Sequence, residues 1–438
     1  MILFSLSWWY LGRVGMEPIN ILRKLFILIF FPFLIFSACE STSSDSDTYE
    51  ISPGDEAQAA FQEALNAAQE GEIIVLGEGT FEFNRTMTMD AKSGVTIRGQ
   101  GRNNTTLSFS GQISGADGLL ITNSEAIIVS DLTIADTQGD GLKFRESNGI
   151  VIRNVGTIWS GEPSTDNGAY GIYPVLSSNI LIEDCYAYGA SDSGIYVGQS
   201  DRAIVRNSTA EGNVAGIEIE NTTSADVYGN TVTDNAAGIL VFDLPGLSQS
   251  GAKTRIFDNT VTNNLRGNFA PGGSIVAEAP AGTGILVLST NKVEIFDNKL
   301  QENNVAGTAV ASYAALVELE LAPQPTDPDY NPFPGSIYIH DNSYSSSANY
   351  PTGEDQSDFG NILVQTFSPE PIPDIILDGI FAPGSGASGT ICIEDNTGNS
   401  FVNLNLPDNF PENMSFDQSP HACSMEALPE VEVSVPGI

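Results

Sequence analysis

Histidine is almost missing from this chain of 438 residues: there are two, His340 and His421. That scarcity excludes a histidine-rich metal site, and it makes each imidazole a structural or solvent-facing group before it is a catalytic one. Cysteine is nearly as rare, at four, and no two form a C-x-x-C pair, which excludes a zinc ribbon. Positive charge is scarce too. Seventeen Lys and Arg face 55 Asp and Glu, for a net charge of −38. A field of that sign repels nucleic acid and anionic lipid head groups, and a polyanionic substrate would approach only through bridging cations. Long apolar runs are lacking except Leu25 to Phe36, which is interrupted by Pro32 and short of the roughly 20 residues a membrane span needs.

That run has a different use. Arg23 and Lys24 precede it and Ser37-Ala38-Cys39 follow, the layout of a secretory signal over residues 1–38, with Met16 a candidate true start. The segment ending at Cys39 resembles a bacterial lipobox, with Phe36 where that pattern usually has Leu. Cys39 is therefore the expected lipidation site and membrane anchor, and residues 39–52 read as a flexible tether. Glu40 after the cysteine points to an outer-membrane lipoprotein of the cell envelope. Cys392 and Cys423 lie near the C-terminus, where they could close a disulfide in an oxidising compartment. Cys185 falls within a predicted rung and is expected to be buried.

Self-similarity dominates the rest. Gly followed by alternating apolar residues recurs at Gly118, Gly141, Gly171, Gly194, Gly216, Gly238 and Gly284, with a base period of 22 or 23 residues and insertions. A second series, Asp131, Asn154, Asp184, Asn207, Asn230, Asn259 and Asn298, follows the same period and reads as a turn ladder. Period-2 alternation stacks Leu142, Ile172, Ile195, Ile217, Ile239 and Ile285 into a core, with Phe144, Pro174, Val197, Ile219, Val241 and Val287 as a second inward stack. The fold class expected is all-β, a single-stranded right-handed parallel β-helix over 53–396. A short helix at 55–69, with Ala60, Phe61, Ala64, Leu65 and Ala68 on one face, would cap its start, and 397–438 would cap its end.

Insertions at about 160–168 and 266–282 lengthen the turn before the first strand, and those at about 243–252 and 314–335 lengthen the turn after it. All four border one face and would wall a groove along it. Outward positions between these walls give the candidate ligand-binding residues: Lys143, Arg145, Tyr170, Tyr173, Asp192, Tyr196, Gln199, Glu218, Glu220, Asn221 and Asp243, with Trp159 at the edge of the first insertion. At about 4.8 Å per rung the row from Lys143 to Asp243 spans roughly 19 Å, a few sugar units. Tyr and Trp beside polar groups suit stacking on sugars. Because Tyr196 and Glu218 should point outward, replacing either is expected to leave the fold intact.

The chemistry stays open at this point. Tyr173 or Tyr196 could move a proton while Lys143 and Arg145 hold a uronate. Asp192, Glu218 or Glu220 could form a hydrolytic acid/base pair. Asp192, Glu218, Glu220, Asn221 and Asp243 could instead hold Ca²⁺, the one cofactor the residues suggest. No residue is assigned as catalytic.

The order cap helix, apolar strand, Gly79-Thr-Phe and Val95-Thr-Ile-Arg-Gly-Gln-Gly resembles the start of pectate-lyase-like β-helix proteins. The segments Asn167-Gly-Ala-Tyr-Gly-Ile-Tyr-Pro-Val, Ser191-Asp-Ser-Gly-Ile-Tyr-Val-Gly-Gln-Ser, Ala215-Gly-Ile-Glu-Ile-Glu-Asn and Asn268-Phe-Ala-Pro resemble a family of bacterial parallel β-helix lipoproteins over nearly all of 53–425. The resemblance implies export and lipidation, and it carries over no catalytic residue. Members tend to be encoded beside a dihaem c-type cytochrome. Two functions follow as expectations: binding or processing of an extended polysaccharide in the groove, or a non-catalytic envelope scaffold that docks a partner protein such as a c-type cytochrome.

Overall fold

The computed structural model describes residues 48–386 and 390–435. The signal segment and Cys39 lie outside the described residues. Among those described, no helix is long and apolar enough to cross a membrane.

The chain winds as a parallel β-helix, a right-handed solenoid built from two strand systems. One sheet has eleven strands, and the other has twenty and folds into two faces. Strands Glu125–Ala135 and Asn148–Ile158 run through both faces of the larger sheet. Later rungs break there, as at Ser178–Glu183 and Tyr186–Tyr188, both of which pair with Asn148–Ile158. Each rung thus has three sides, and every ladder is parallel because each strand pairs with its equivalent one coil away.

The glycine-led register is as read. Leu142, Ile172, Ile195, Ile217, Ile239 and Ile285 are successive Cα partners and all are fully buried. The turn series needs a correction. Asp131, Asn154, Asp184 and Asn207 carry positive φ, and their rung equivalents are Gly229, Asp258 and Asp297, not Asn230, Asn259 and Asn298. Those three sit one residue later, inside the coil, in a buried ladder. Asn230 Nδ2 donates to Asn259 Oδ1, Asn259 to Asn298 and Asn298 to Asn342, at 2.9–3.0 Å. A second buried ladder, Asn213–Asn235–Asn264–Asn303, runs beside it. Period alone does not separate adjacent columns of one residue type.

The ends also differ from expectation. Helix α1, Ala57–Ala67, caps the start with Phe61, Ala64 and Leu65 buried, while Ala60 faces solvent. The tether stops short of residue 52, because Thr48–Ile51 is already a strand paired with Ile73–Leu76. Phe401–Asn403 still belongs to the solenoid, pairing with Ile375–Leu377. Cys392 and Cys423 are joined by a disulfide, after which the chain does not cover the last rung. It turns back and runs along the outside of the larger sheet, where Val435 packs on Val151 and Leu181.

Candidate functional site

The eleven-stranded sheet is the face that the insertions border, and insertions on each side of it touch one another. Thr165 in the first insertion donates to the Phe269 carbonyl of another, at 2.8 Å across 104 residues. On the opposite side the Tyr330 hydroxyl donates to the Asp243 carbonyl, at 2.7 Å. Insertions that lengthen the same turn therefore join along the solenoid axis.

Half of the floor is roofed by these walls. Leu240, Phe242, Leu286 and Leu288 point out of the coil but are buried under Leu244, Phe269, Ile275, Val276 and Ala279. Helix α2, Tyr313–Glu318, adds Leu316 to the same cluster. Helix α3, Asp358–Phe367, covers the next rungs with Leu363 and Val364 against Ile376 and Leu404. The expected row from Lys143 to Asp243 is thus closed beyond Glu220. It extends instead toward the amino end, where Thr88 and Leu120 precede Lys143, Tyr173 and Tyr196 as successive partners. These two were missed because no insertion marks their rungs.

At the boundary between open and roofed floor sits a cluster of tyrosines and carboxylates. The rings of Tyr170, Tyr173 and Tyr196 lie 4.5–4.9 Å apart, centroid to centroid. Lys143 Nζ stands 4.6 Å above the Tyr173 ring and is held by Asp140 at 2.9 Å. Tyr170 donates to Asp192 at 3.4 Å, Tyr196 donates to Glu220 at 2.6 Å, and Ser193 donates to Glu218. Three carboxyl groups so close, with no cation among them, cannot all ionise. Burial pushes Asp192 up to about 7. Burial first, then the charges of Asp192 and Glu220, push Glu218 well above the carboxylate range. Burial raises Glu220 as well. The same desolvation, with nearby acids, raises all three tyrosines, which stay protonated as donors.

The other candidates serve the scaffold. Trp159 is buried, and its indole N–H donates to the Thr137 carbonyl at 2.7 Å beneath the first insertion, so no ring face is offered to a ligand. Asn221 is fully engaged: Nδ2 donates to Asp243 Oδ1 and to the carbonyls of Leu244 and Gln249, while Oδ1 accepts from Leu244 N. Asp243 also accepts from Gly251 N, and burial pushes it up to about 6. Gln199 accepts from Ser248 N in the same loop. Asn221, Asp243 and Gln199 are loop anchors, which a long insertion leaving a rigid coil requires. Arg145 is exposed and paired with Glu146 at 3.3 Å. Among the described residues, no group of three or more His, Cys, Asp or Glu side chains is arranged to hold a metal ion.

His340 lies on the larger sheet, in a column of stacked rings with Tyr228, Phe257 and Phe296. His421 is buried behind the last rungs, 3.1 Å from the Ile391 carbonyl. Neither reaches the groove.

The family model described as "Right handed beta helix region" matches residues 117–277 and 165–321. Among solved structures, the chain is similar to the A-module of a mannuronan C-5 epimerase from Azotobacter vinelandii, at 16% identity over 79% of this chain and 91% of that one, with a TM-score of 0.45. It is similar to a DFA-IIIase from Arthrobacter chlorophenolicus A6 at 10% identity, covering 80% and 98%, with a TM-score of 0.43. An alginate lyase from a Paenibacillus species matches at 19% identity over 57% of this chain and 94% of that one, with a TM-score of 0.36. No curated protein sequence matches the chain.

Proposed function

Since the chain is a right-handed parallel β-helix protein, we propose that the open part of its eleven-stranded sheet binds an extended, uncharged polysaccharide. The carrying observation is the platform of Tyr170, Tyr173 and Tyr196 set against Asp192 and Glu220 between joined loop walls. The half-exposed rings of Tyr170 and Tyr173, backed by the buried Tyr196, stack on the apolar faces of sugars, and the flanking carboxyls and Lys143 meet their hydroxyls. An uncharged glycan fits better than a uronate. Lys143 is already neutralised by Asp140 and Arg145 by Glu146, while the net charge of −38 repels an acidic polymer. Asp192 is half-exposed and pushed by burial up to about 7, so chemistry on the glycan would start there, with Asp192 as general acid.

The reading includes export, lipid anchoring at Cys39 and an outer-membrane address, which rest on the sequence of residues 1–40. A second reading, docking of a basic envelope protein such as a c-type cytochrome, is favoured by the acidic surface. Calorimetry against neutral and uronate polysaccharides separates the two. Binding of a neutral polymer, weakened at least tenfold by Tyr173→Ala, supports the glycan reading. If neither class binds while a basic envelope protein co-purifies from membranes, the second reading replaces it.

A further inference from the structure

The outward positions of one column on the larger sheet can be followed rung by rung: Ile128, Val151, Leu181, Ile204, Asp226, Arg255, Glu294, Tyr338, Cys392. The C-terminal segment lies along this column in the opposite direction. Cys423 is bonded to Cys392. Leu428 N donates to Glu294 at 2.8 Å, Val431 N to Asp226 at 3.1 Å, and Ser434 N to Asn179, on the strand of Leu181, at 3.1 Å. Val433 and Val435 then close over Ile128, Val151, Leu181 and Ile204.

The spacing of these contacts is regular. Donors 428, 431 and 434 are three residues apart, and their acceptors are two rungs apart each time. Three residues of polyproline II backbone advance about 9.3 Å, and two rungs advance about 9.6 Å. An extended peptide with three residues per turn therefore stays in phase with the solenoid, one N–H facing inward at every second rung. Burial follows this spacing as far as Val431: Met425 and Leu428 are half-buried and Val431 is buried, with exposed residues between them; beyond it the side chains alternate, Val433 and Val435 facing inward and Ser434 outward. Beyond the disulfide nothing covalent holds the segment. Residues 425–429 roof an open cleft above Lys253, Lys292, Ser336 and Tyr338 without filling it.

We propose that this column is a docking track for extended polypeptide, filled at rest by the chain's own C-terminal segment, and that the same segment from a second copy binds there once the resident is released. The apolar half of the track supplies the reason. Ile128, Val151, Leu181 and Ile204 form an outward aliphatic stripe, which in water is a surface awaiting cover, and alternating valines on an extended backbone cover it. Asp226 and Glu294, farther along, accept backbone N–H groups and set the register.

The test uses the full-length chain. Val431→Asp, Val433→Asp and Val435→Asp together release the resident without altering the sheet, and a labelled peptide of residues 424–438 serves as the second copy's segment. Fluorescence anisotropy is expected to show the peptide binding the release variant at least tenfold more tightly than the parent. The same peptide carrying the three Asp substitutions should not bind. Equal binding to both proteins, or none to a release variant whose circular dichroism matches the parent, overturns the proposal. If that variant fails to fold, Leu428→Pro with Ser434→Pro removes two donors and leaves the valines intact. The peptide must then bind this second variant more tightly than the parent, and failure to do so overturns the proposal equally.

Discussion

The Tyr196 hydroxyl reaches the Glu220 carboxylate, at 2.6 Å, by lying across Gly198. A Cβ at position 198 would stand 2.2 Å from that hydroxyl, so glycine there is what lets the ring turn along the sheet. Tyr196 is outward from the coil yet buried, as is Glu218. Both side chains leave the coil on the expected side, but because they are buried each substitution carries a cost to stability. Tyr196→Phe should lower stability by about 0.5–1.5 kcal/mol, the range for an intramolecular hydrogen bond. Gly198→Ala, which crowds the ring, should cost roughly 1–3 kcal/mol. Denaturant melts check both, and an unchanged midpoint in both variants would contradict the arrangement.

Acidification should stabilise this protein. Asp192 is raised to about 7 and Asp243 and Asp378 to about 6, in each case chiefly by burial. A carboxyl whose folded pKa exceeds its unfolded value binds more protons when folded, so its penalty grows as pH rises from about 4 to the folded value and is constant above that. Glu218 and Glu220 act in the same sense. Asp140, Glu278 and Asp297 are raised as well. His421, lowered by burial, acts against them below about 6.5, while the lowered Asp90, Glu183 and Asp417 oppose them only below about 4.5. The melting temperature is expected to rise from pH 8 to pH 5, with the slope flattened in the Asp192→Asn, Glu218→Gln double variant. A flat or reversed profile in the parent would remove the case for protonated acids in the groove.

What the sequence made legible was whatever repeats. The inward stack from Leu142 to Ile285 and the gathering of the insertions along one sheet follow from alternation and from where insertions interrupt it. The slip of the turn series at Asn230 came from Gly229 taking the positive-φ position, which moved the asparagine one place inward. Burial of Leu240 was not legible, because it depends on how residues 266–282 fold over the sheet, and a loop has no period to read. Trp159 was misplaced for a similar reason: loop-edge position suggested a ligand platform, whereas an indole with one N–H to satisfy serves equally well as a buried strut. The C-terminal track escaped altogether, since its three-residue spacing has meaning only against the rungs beneath it.

Trp159 gives a direct contrast between strut and platform. Trp159→Phe keeps an aromatic ring but loses the 2.7 Å bond to Thr137 and leaves that buried carbonyl without it. A loss of about 1–3 kcal/mol is expected, with glycan affinity unchanged. Tyr173→Ala should do the reverse, weakening binding while moving the melting temperature little, because Tyr173 is only half-buried. A binding loss in Trp159→Phe equal to that of Tyr173→Ala would put the indole back in the groove.

The asparagine ladder sets how damage spreads along the solenoid. Asn259 donates through Nδ2 to Asn298 Oδ1 and to the Val227 carbonyl, and its Oδ1 accepts both Asn230 N and Asn230 Nδ2. Asn259→Leu fills the volume but takes the acceptor from Asn230 N and from one hydrogen of Asn230 Nδ2, while Asn298 Oδ1 keeps the backbone N–H of residue 259. Each buried, unpaired polar group costs roughly 1–3 kcal/mol, so the variant should lose about 2 kcal/mol or more. Because each rung is tied chiefly to its neighbours, the loss should appear as faster amide exchange in the rungs of Asn230 and Asn298, with the α1 end still protected. Hydrogen exchange read by mass spectrometry resolves this. Uniform exchange from cap to cap would mean the solenoid opens as one unit, and that the ladder does no more than fill space.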